Sequence, residues 1–430
     1  MHIHGLTLKD FRAFKDASLE FTYGGKPAAK PAEGRPVRHD NVNVILGVNG
    51  SGKSSVLDAI ALAVLSPLIT SSGYRPYALL RRSPKGTEAE AAITVDAILH
   101  SQDVGGAKIV DRHEKFQAIV RSRGDLELIE DGEPNKPRLE QLFNEKTPAF
   151  FLVGYGATRR VEATSASDLA TRRRARIVRY ERVASLFEEH FSLLPLNSWL
   201  PEWHEANPGR HKQVVTLINK LTPEAIAFEG RMEGGEYLFR HNGVTVPFGA
   251  LSDGYKAYLG WISDLLYHLT MGAPSGSRLD TSKGVVLVDE IDLHIHPEWQ
   301  RTMIPTIAEA FPKLQFIFTT HSPLVVGTLQ RENLLLVTRD EAGFPMIERP
   351  AEETLGLSAD QILRSEAFGL ESTRDPQFRK ELLAIEKQAV AGEPGAALEF
   401  MQKAAVGAGS LETIAPPDVP EWLQKMAKKS

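Results

Sequence analysis

The chain has 430 residues, of which 42% are hydrophobic and 24% charged, with no cysteine and a formal net charge of −5. That length accommodates two or three domains, or one large α/β core with accessory segments, and the missing cysteines exclude disulfides, thiolate metal sites and cysteine nucleophiles. The mild acidity does not favour nucleic acid as a general partner, so any such role needs a local basic patch.

Taken along the chain, Met1-His2-Ile3-His4-Gly5 lacks the basic and apolar regions of a signal peptide. No apolar run near 18 residues is expected to cross a membrane, and a cytoplasmic protein is anticipated. Ile3 to Phe21 alternates as strand, turn and strand around Asp10-Phe11-Arg12-Ala13-Phe14, and Gly24 to Pro36 reads as an exposed loop. Val42 to Leu46 is short, apolar and β-branched, the pattern of a buried strand. It runs into Gly47-Val48-Asn49-Gly50-Ser51-Gly52-Lys53-Ser54, and helix formers continue from Ser55 to Leu65, with the first breaker at Pro67. This is a phosphate-binding P-loop in its proper setting. The glycines let the backbone wrap a phosphate with its N–H groups inward, and the helix N-terminus adds positive potential. Lys53 reaches the β/γ-phosphates and the Ser54 hydroxyl can ligand Mg²⁺. Gly47, Asn49, Gly50, Ser51, Gly52, Lys53, Ser54 and Ser55 therefore form the expected ATP contact.

Ala91 to Leu99 and Lys115 to Val120 read as strands of a meander, and Phe150 to Val153 as a further buried strand ending at Gly154-Tyr155-Gly156. From Ser165 to Leu221 the pattern is helical and polar. Strands return at Tyr237–Arg240 and Val244–Val246, joined by a His241-Asn242-Gly243 turn. Leu251-Ser252-Asp253-Gly254-Tyr255-Lys256 then opens a helix, offering a hydroxyl, a glycine N–H and a helix N-terminus to a second anion. Gly284 to Val288 is a buried strand ending in Asp289 and Glu290, at the sheet edge where α/β folds bind ligands. Asp289 is placed to hold the Mg²⁺ shell and Glu290 to orient the attacking water as base. Phe316 to Thr320 is a strand ending in His321, whose neutral imidazole can hydrogen-bond a γ-phosphate. Two γ-phosphate sites on one chain make sense when the second serves a neighbour's nucleotide.

Together these elements resemble the ABC-class ATPases of the RecF/SMC/OLD type. Leu6 to Phe14 is similar to their N-terminal strand and turn, which implies a nucleotide contact for Arg12; Ser252-Asp253-Gly254 resembles their signature motif, Asp292 the D-loop and His321 the switch histidine. In detail the chain resembles the small ATP-binding proteins of bacterial antiphage systems, the Septu PtuA-like group. That likeness is carried by Val153 to Arg160, Arg182 to Phe187, Leu251 to Tyr255 and Phe368 to Pro376. It implies an α/β ABC-ATPase head, with a P-loop mixed sheet, an antiparallel β subdomain, a helical insertion and a helical C-terminal extension. The expected layout is 1–160 for the first half of the head, 161–235 for the insertion, 236–350 for the second half and 351–430 for the C-terminal region. Implied partners are a second copy or a higher homo-oligomer and a nuclease of the HNH type, with DNA or RNA as a further candidate. An ATP-dependent DNA clamp of the RecF/SMC kind is the alternative function.

Departures from the pattern matter. Asp253 stands where the signature has its first glycine, and either points away or adds charge near a γ-phosphate. Gly154-Tyr155-Gly156 occupies the Q-loop position without a glutamine. About 110 residues follow His321 without a Glu then Asp-x-Asp constellation, so no intrinsic nuclease is expected. Arg159, Arg160, Arg172, Arg173, Arg174, Arg176, Arg179 and Arg182 form a basic stretch that reads either as a phosphate-backbone contact or an arginine that meets nucleotide across an interface, or as a solvated helix face. His294, His296 and Glu298 read as a helix-capping segment or, less simply, as metal ligands.

Overall fold

The computed structural model describes residues 1–24, 36–75, 77–83, 86–104, 112–124, 126–131, 143, 152–161, 178–393 and 395–404. Strand β1 (His2–Phe11) turns back into β2 (Phe14–Glu20) through a tight corner at which Asp10 and Arg12 take φ of 49° and 50°. Then come β3 (Val42–Gly47), α1 (Lys53–Ser71), β4 (Glu90–Leu99), β5 (Arg112–Arg123), β6 (Leu126–Asp131) and β7 (Leu152–Tyr155). Helices α2 (Val178–Phe187), α3 (Leu200–Ala206) and α4 (Pro208–Leu221) precede a meander of β8 (Ile226–Glu233), β9 (Glu236–His241) and β10 (Val244–Pro247). The long α5 (Asp253–Gly272) leads to β11 (Gly284–Val288), α6 (Met303–Ala310), β12 (Leu314–Thr319), β13 (Leu334–Arg339) and β14 (Pro345–Glu348).

Two sheets carry the core. One is antiparallel, in the order β2-β1-β4-β5-β6; the other runs β14-β13-β3-β12-β11-β7, parallel throughout except at the β14 edge. The parallel strands are mostly apolar because both of their faces are covered, with Asn43, Gln315 and Thr319 as buried polar exceptions in β3 and β12. Ile45, Val285, Leu287 and Ile317 face α1 and the antiparallel sheet, whereas Val44, Val286, Val288 and Phe318 face α5 and α6. Helix α1 lies in the first of these layers and is buried around nearly its whole circumference. By length and composition it could cross a bilayer, contrary to the expectation that no such run exists; its apolar residues instead pack inside the protein. It kinks at Leu65, just before Pro67.

Two buried amides join the sheets. Gln315 accepts from the Ile3 backbone N–H at 2.6 Å and donates to the Ile3 carbonyl at 2.8 Å, beside the β-bulge between Ile3 and Gly5. Asn43 treats Thr22 in the same way, at 2.7 and 3.0 Å. Each side-chain amide acts as the missing strand partner of a backbone that would otherwise be orphaned in the core.

The expected helical insertion ends differently from the reading. Pro223 follows the last turn of α4, and Ile226 and Phe228 alternate inward as β8, pairing with β9. The charges at Glu229, Arg231 and Glu233 hide that alternation in the sequence. The compact units divide after Phe368 rather than after residue 350, because Thr354 and Gly356 bond to the carbonyls of Leu329 and Gly327 and Ile362 is buried in the core. In the second unit α7 (Pro376–Val390), capped by Asp375, packs against α8 (Ala396–Ala404). Part of the basic stretch and the extreme C-terminus lie outside the described residues.

Glycines 154 and 156 have a steric origin. A Cβ on Gly156 would collide with the Ser185 carbonyl oxygen of α2, and one on Gly154 with the Leu186 side chain. The Ser185 hydroxyl fills the narrow gap, donating to the Gly154 carbonyl at 3.0 Å and accepting from the Gly156 N–H at 3.2 Å. Gly156→Ala should therefore cost about 1–3 kcal/mol of stability, as overpacking against backbone does, read as a lowered urea midpoint with unchanged slope.

Candidate functional site

The P-loop is shaped for a ligand that supplies its own acceptor oxygens. Gly47, Gly50 and Gly52 take φ of 151°, 74° and 109°, conformations that L-residues avoid. At Gly47 a Cβ would crowd Ser51 and Val337, and at Gly52 it would strike the Phe14 ring. The N-terminus of α1 has no side-chain cap, the Ser51 hydroxyl is buried without a partner, and Ser54 is exposed. Lys53 Nζ donates to the Gly47 and Val48 carbonyls at 3.0 and 3.2 Å. Burial lowers its pKa, against the opposing pull of Asp289, Glu290 and Asp292. Open helix amides, an orphaned hydroxyl and a buried ammonium are the donor set a phosphate chain requires.

Opposite stand the ends of β11 and β12. Thr319 donates its hydroxyl to Asp289 and accepts from the Glu290 N–H at 2.7 Å. The Asp289 N–H continues the ladder to Tyr155, and the Ile291 N–H bonds to the Thr319 carbonyl. Glu290 sits at φ 47°, a left-handed conformation rare for a glutamate. Asp292 accepts from the Thr320 hydroxyl and, at 3.3 Å, from the His321 N–H. Ser322 caps the turn that follows, accepting from Leu324 and Val325 while donating to Gln300. Burial lowers the His321 pKa and Lys53 lowers it further, with the three acids opposing, so the imidazole is neutral at pH 7. Lys53, Asp289, Glu290, Asp292 and His321 thus share one electrostatic cluster.

Arg12, the nucleotide contact implied by the resemblance, lies beside the start of α1. Its guanidinium bonds Asp58 at 2.5 Å and Ser55 at 3.2 Å, one turn into α1. Asp58 is buried, and desolvation lifts its pKa to about 6 even beside Arg12. Ser55 is likewise buried beneath the loop, while Asn49 is exposed on it.

Ser252 and Gly254 are not joined to this cluster: among the described residues no hydrogen bond links them to the P-loop, Asp289, Glu290 or His321. Ser252 is exposed at the N-cap of α5, and Gly254 is required because a Cβ would strike the His294 carbonyl. Asp253 is exposed and pairs with Lys256 at 2.8 Å. His296 accepts from the Glu298 N–H as a cap, and among the described residues no three His, Asp or Glu side chains are grouped to hold a metal. A cavity of about 280 Å³ lies beside α5, bounded by Leu194, Tyr237, Phe248, Lys256 and Ser263, and none of the P-loop residues line it.

The residue whose surroundings the sequence left open is Arg159. It is 8% exposed, with one guanidinium N–H on the Asp289 carbonyl and another, at 2.8 Å, on that of Glu290. Burial lowers its pKa to about 10, with Asp289, Asp292 and Glu290 opposing. It therefore belongs to the site and not to a solvated face. Residues 162–177, which carry Arg172, Arg173, Arg174 and Arg176, lie outside the described residues.

Residues 42–327 match the family described as "AAA domain, putative AbiEii toxin, Type IV TA system". The chain belongs to this family. It is 24% identical over 372 residues to the Septu protein PtuA of Bacillus mycoides (strain KBAB4), an alignment covering 86% of this chain and 45% of that protein. Over 148 residues it is 33% identical to the Retron Vc95 probable ATPase of Vibrio cholerae serotype O1 biovar El Tor, covering 34% of this chain and 28% of the relative. The chain thus spans less than half the length of these curated relatives. Among solved structures, the SmcHead bound to the C-winged helix domain of ScpA aligns with a TM-score of 0.46 at 15% identity, over 81% of this chain and 98% of that one.

The raised pKa of Asp58 sets a pH signature. Its folded value, about 6, lies above the unfolded 3.8, so its contribution is complete below pH 4 and lost as pH rises through 6. The stability of the wild type relative to Asp58→Asn should fall by on the order of 2 kcal/mol between pH 4 and 6. Denaturant titrations of both proteins at several pH values measure this, and parallel curves would refute the assignment.

Proposed function

We propose that this chain binds and hydrolyses ATP with Mg²⁺ at a site completed by a second copy, and that the assembly is a switch controlling a partner nuclease in antiphage defence. The observation that carries the reading is the separation within one chain of the P-loop cluster from Ser252 and Gly254. The P-loop amides and Lys53 would bind the phosphates, Lys53 exchanging its two loop carbonyls for phosphate oxygens. Ser54 and Asp289 would hold Mg²⁺, which when bound supplies positive charge against the phosphates. Glu290 orients water and accepts its proton, and the neutral His321 imidazole donates a hydrogen bond toward the terminal phosphate. Ser252 and the N-terminus of α5 would face the nucleotide held by the other copy.

The defence role is supported by the similarity to a Septu PtuA along most of this chain and to retron ATPases over a third of it. The nuclease, of HNH type, is assigned to a separate chain on the Septu-like resemblance; a cytoplasmic location accompanies this reading.

Lys53→Ala should abolish ATP binding. Glu290→Gln should lower kcat by about 10²–10³ while keeping ATP bound and the oligomer stabilised, measured by turnover and by sedimentation with ATP. Wild-type turnover by Glu290→Gln would remove the base assignment. Mixing inactive Lys53→Ala and Ser252→Arg chains should restore part of the activity, because a mixed dimer contains one intact composite site; no recovery would remove the shared-site reading. Co-purification with the product of the neighbouring gene, with and without ATP, tests the partner. Capture of duplex DNA instead of a nuclease would favour the clamp.

A further inference from the structure

At the end of β11 the chain must turn sharply, and the turn is made by a residue with a Cβ. Glu290 at φ 47° holds a left-handed conformation that is strained for a residue with a Cβ and persists only where the surroundings over-determine it. Besides the Leu293 N–H, which bonds the Glu290 carbonyl at 3.0 Å, two side chains hold it. Thr319 fixes the Glu290 N–H from the β12 side. Arg159, arriving from the segment after β7, fixes the carbonyls on both sides of the turn.

We propose that Arg159 is the positioning residue for Glu290: its forked guanidinium spans the carbonyl oxygens of Asp289 and Glu290 and fixes the left-handed turn that aims the Glu290 carboxylate. This rests on the reading of Glu290 as the base.

Three features favour positioning over simple packing. Of its three bonds to carbonyls, two go to consecutive peptide groups across the turn and one, at 3.4 Å, to Gly156 of its own segment. The two across the turn come from separate nitrogens fixed in one plane, a geometry that a freely rotating ammonium does not impose. The charge is buried beside three acids, yet it bonds backbone carbonyls, so it orients main chain in preference to neutralising one carboxylate. Its Nε–H is buried without a partner, an unfavourable arrangement for a residue kept only for stability. The Gly156 contact with α2 lies three residues upstream, so the arm that carries Arg159 is itself held against a helix.

The test is steady-state and single-turnover ATPase kinetics on the full chain. Arg159→Lys should lower kcat by about 10- to 100-fold while the ATP KM changes by less than about 3-fold, as expected when a reacting group is misplaced and binding is kept. In a Glu290→Gln background the same substitution should cost little more, because residues acting as one unit are not additive. A normal kcat in Arg159→Lys, or a full multiplicative loss in the Glu290→Gln background, overturns the inference. Should Arg159→Lys fail to melt cooperatively, Arg159→Gln, a neutral planar amide for the same buried space, carries the same comparison. The two readings fail separately. Wild-type turnover by Glu290→Gln defeats the base assignment itself, whereas an inactive Glu290→Gln beside a fully active Arg159→Lys defeats only the positioning role.

Discussion

A parallel sheet covered on both faces has no room for charged side chains along its buried strands, and admits an amide such as Asn43 or Gln315 only where backbone satisfies it; that constraint organises the molecule. Val285 through Val288 and Phe316 through Phe318 alternate between two apolar layers, so the first residues free to carry charge are those just beyond the strand ends. Asp289, Glu290 and His321 follow at once, and the P-loop closes the neighbouring strand β3. The chemistry lies along one edge because it has nowhere else to go.

That edge concentrates opposing charges in partial burial. Lys53 and Arg159 are each pushed toward neutrality by desolvation and drawn back by the same acids, and His321 is held neutral by burial and by Lys53. Such a cluster is sensitive to the arrival of a polyanion, since phosphate oxygens would compete with the loop carbonyls for Lys53 and raise the demand for cations nearby. The threonines have the complementary task. Thr319 and Thr320 orient Asp289 and Asp292 without adding charge.

Most of this edge was legible in the sequence because its parts are local. The strand, loop and helix of the P-loop are contiguous, as are Gly284–Glu290 and Phe316–Pro323, and each carries its own pattern. The His241-Asn242-Gly243 turn was equally plain, with Asn242 and Gly243 at φ 50° and 83°. What was not legible depends on contacts between distant segments. Gly154 and Gly156 looked like an altered Q-loop, but their spacing answers to α2, some thirty residues on. Arg159 looked like the start of a basic run because its carbonyl partners lie 130 and 131 positions away. The Arg12 bond to Asp58 likewise joins segments 46 residues apart. Strand β8 was missed because charged residues on its open face masked a short inward alternation.

The amide bridges between the two sheets bear on where this module begins. The family match starts at residue 42, which suggests an ATPase core preceded by an accessory hairpin. Yet Gln315 and Asn43, both inside the matched span, find their partners at Ile3 and Thr22. A chain trimmed to the matched span would strip the Gln315 carboxamide and the Asn43 Oδ1 of their backbone partners at Ile3 and Thr22, leaving Asn43 only its 3.4 Å bond to the Phe316 carbonyl, and would leave α1 with one apolar side bare. The hairpin is therefore half of the core's wall, and homology and cooperativity draw the edge of this unit at different residues.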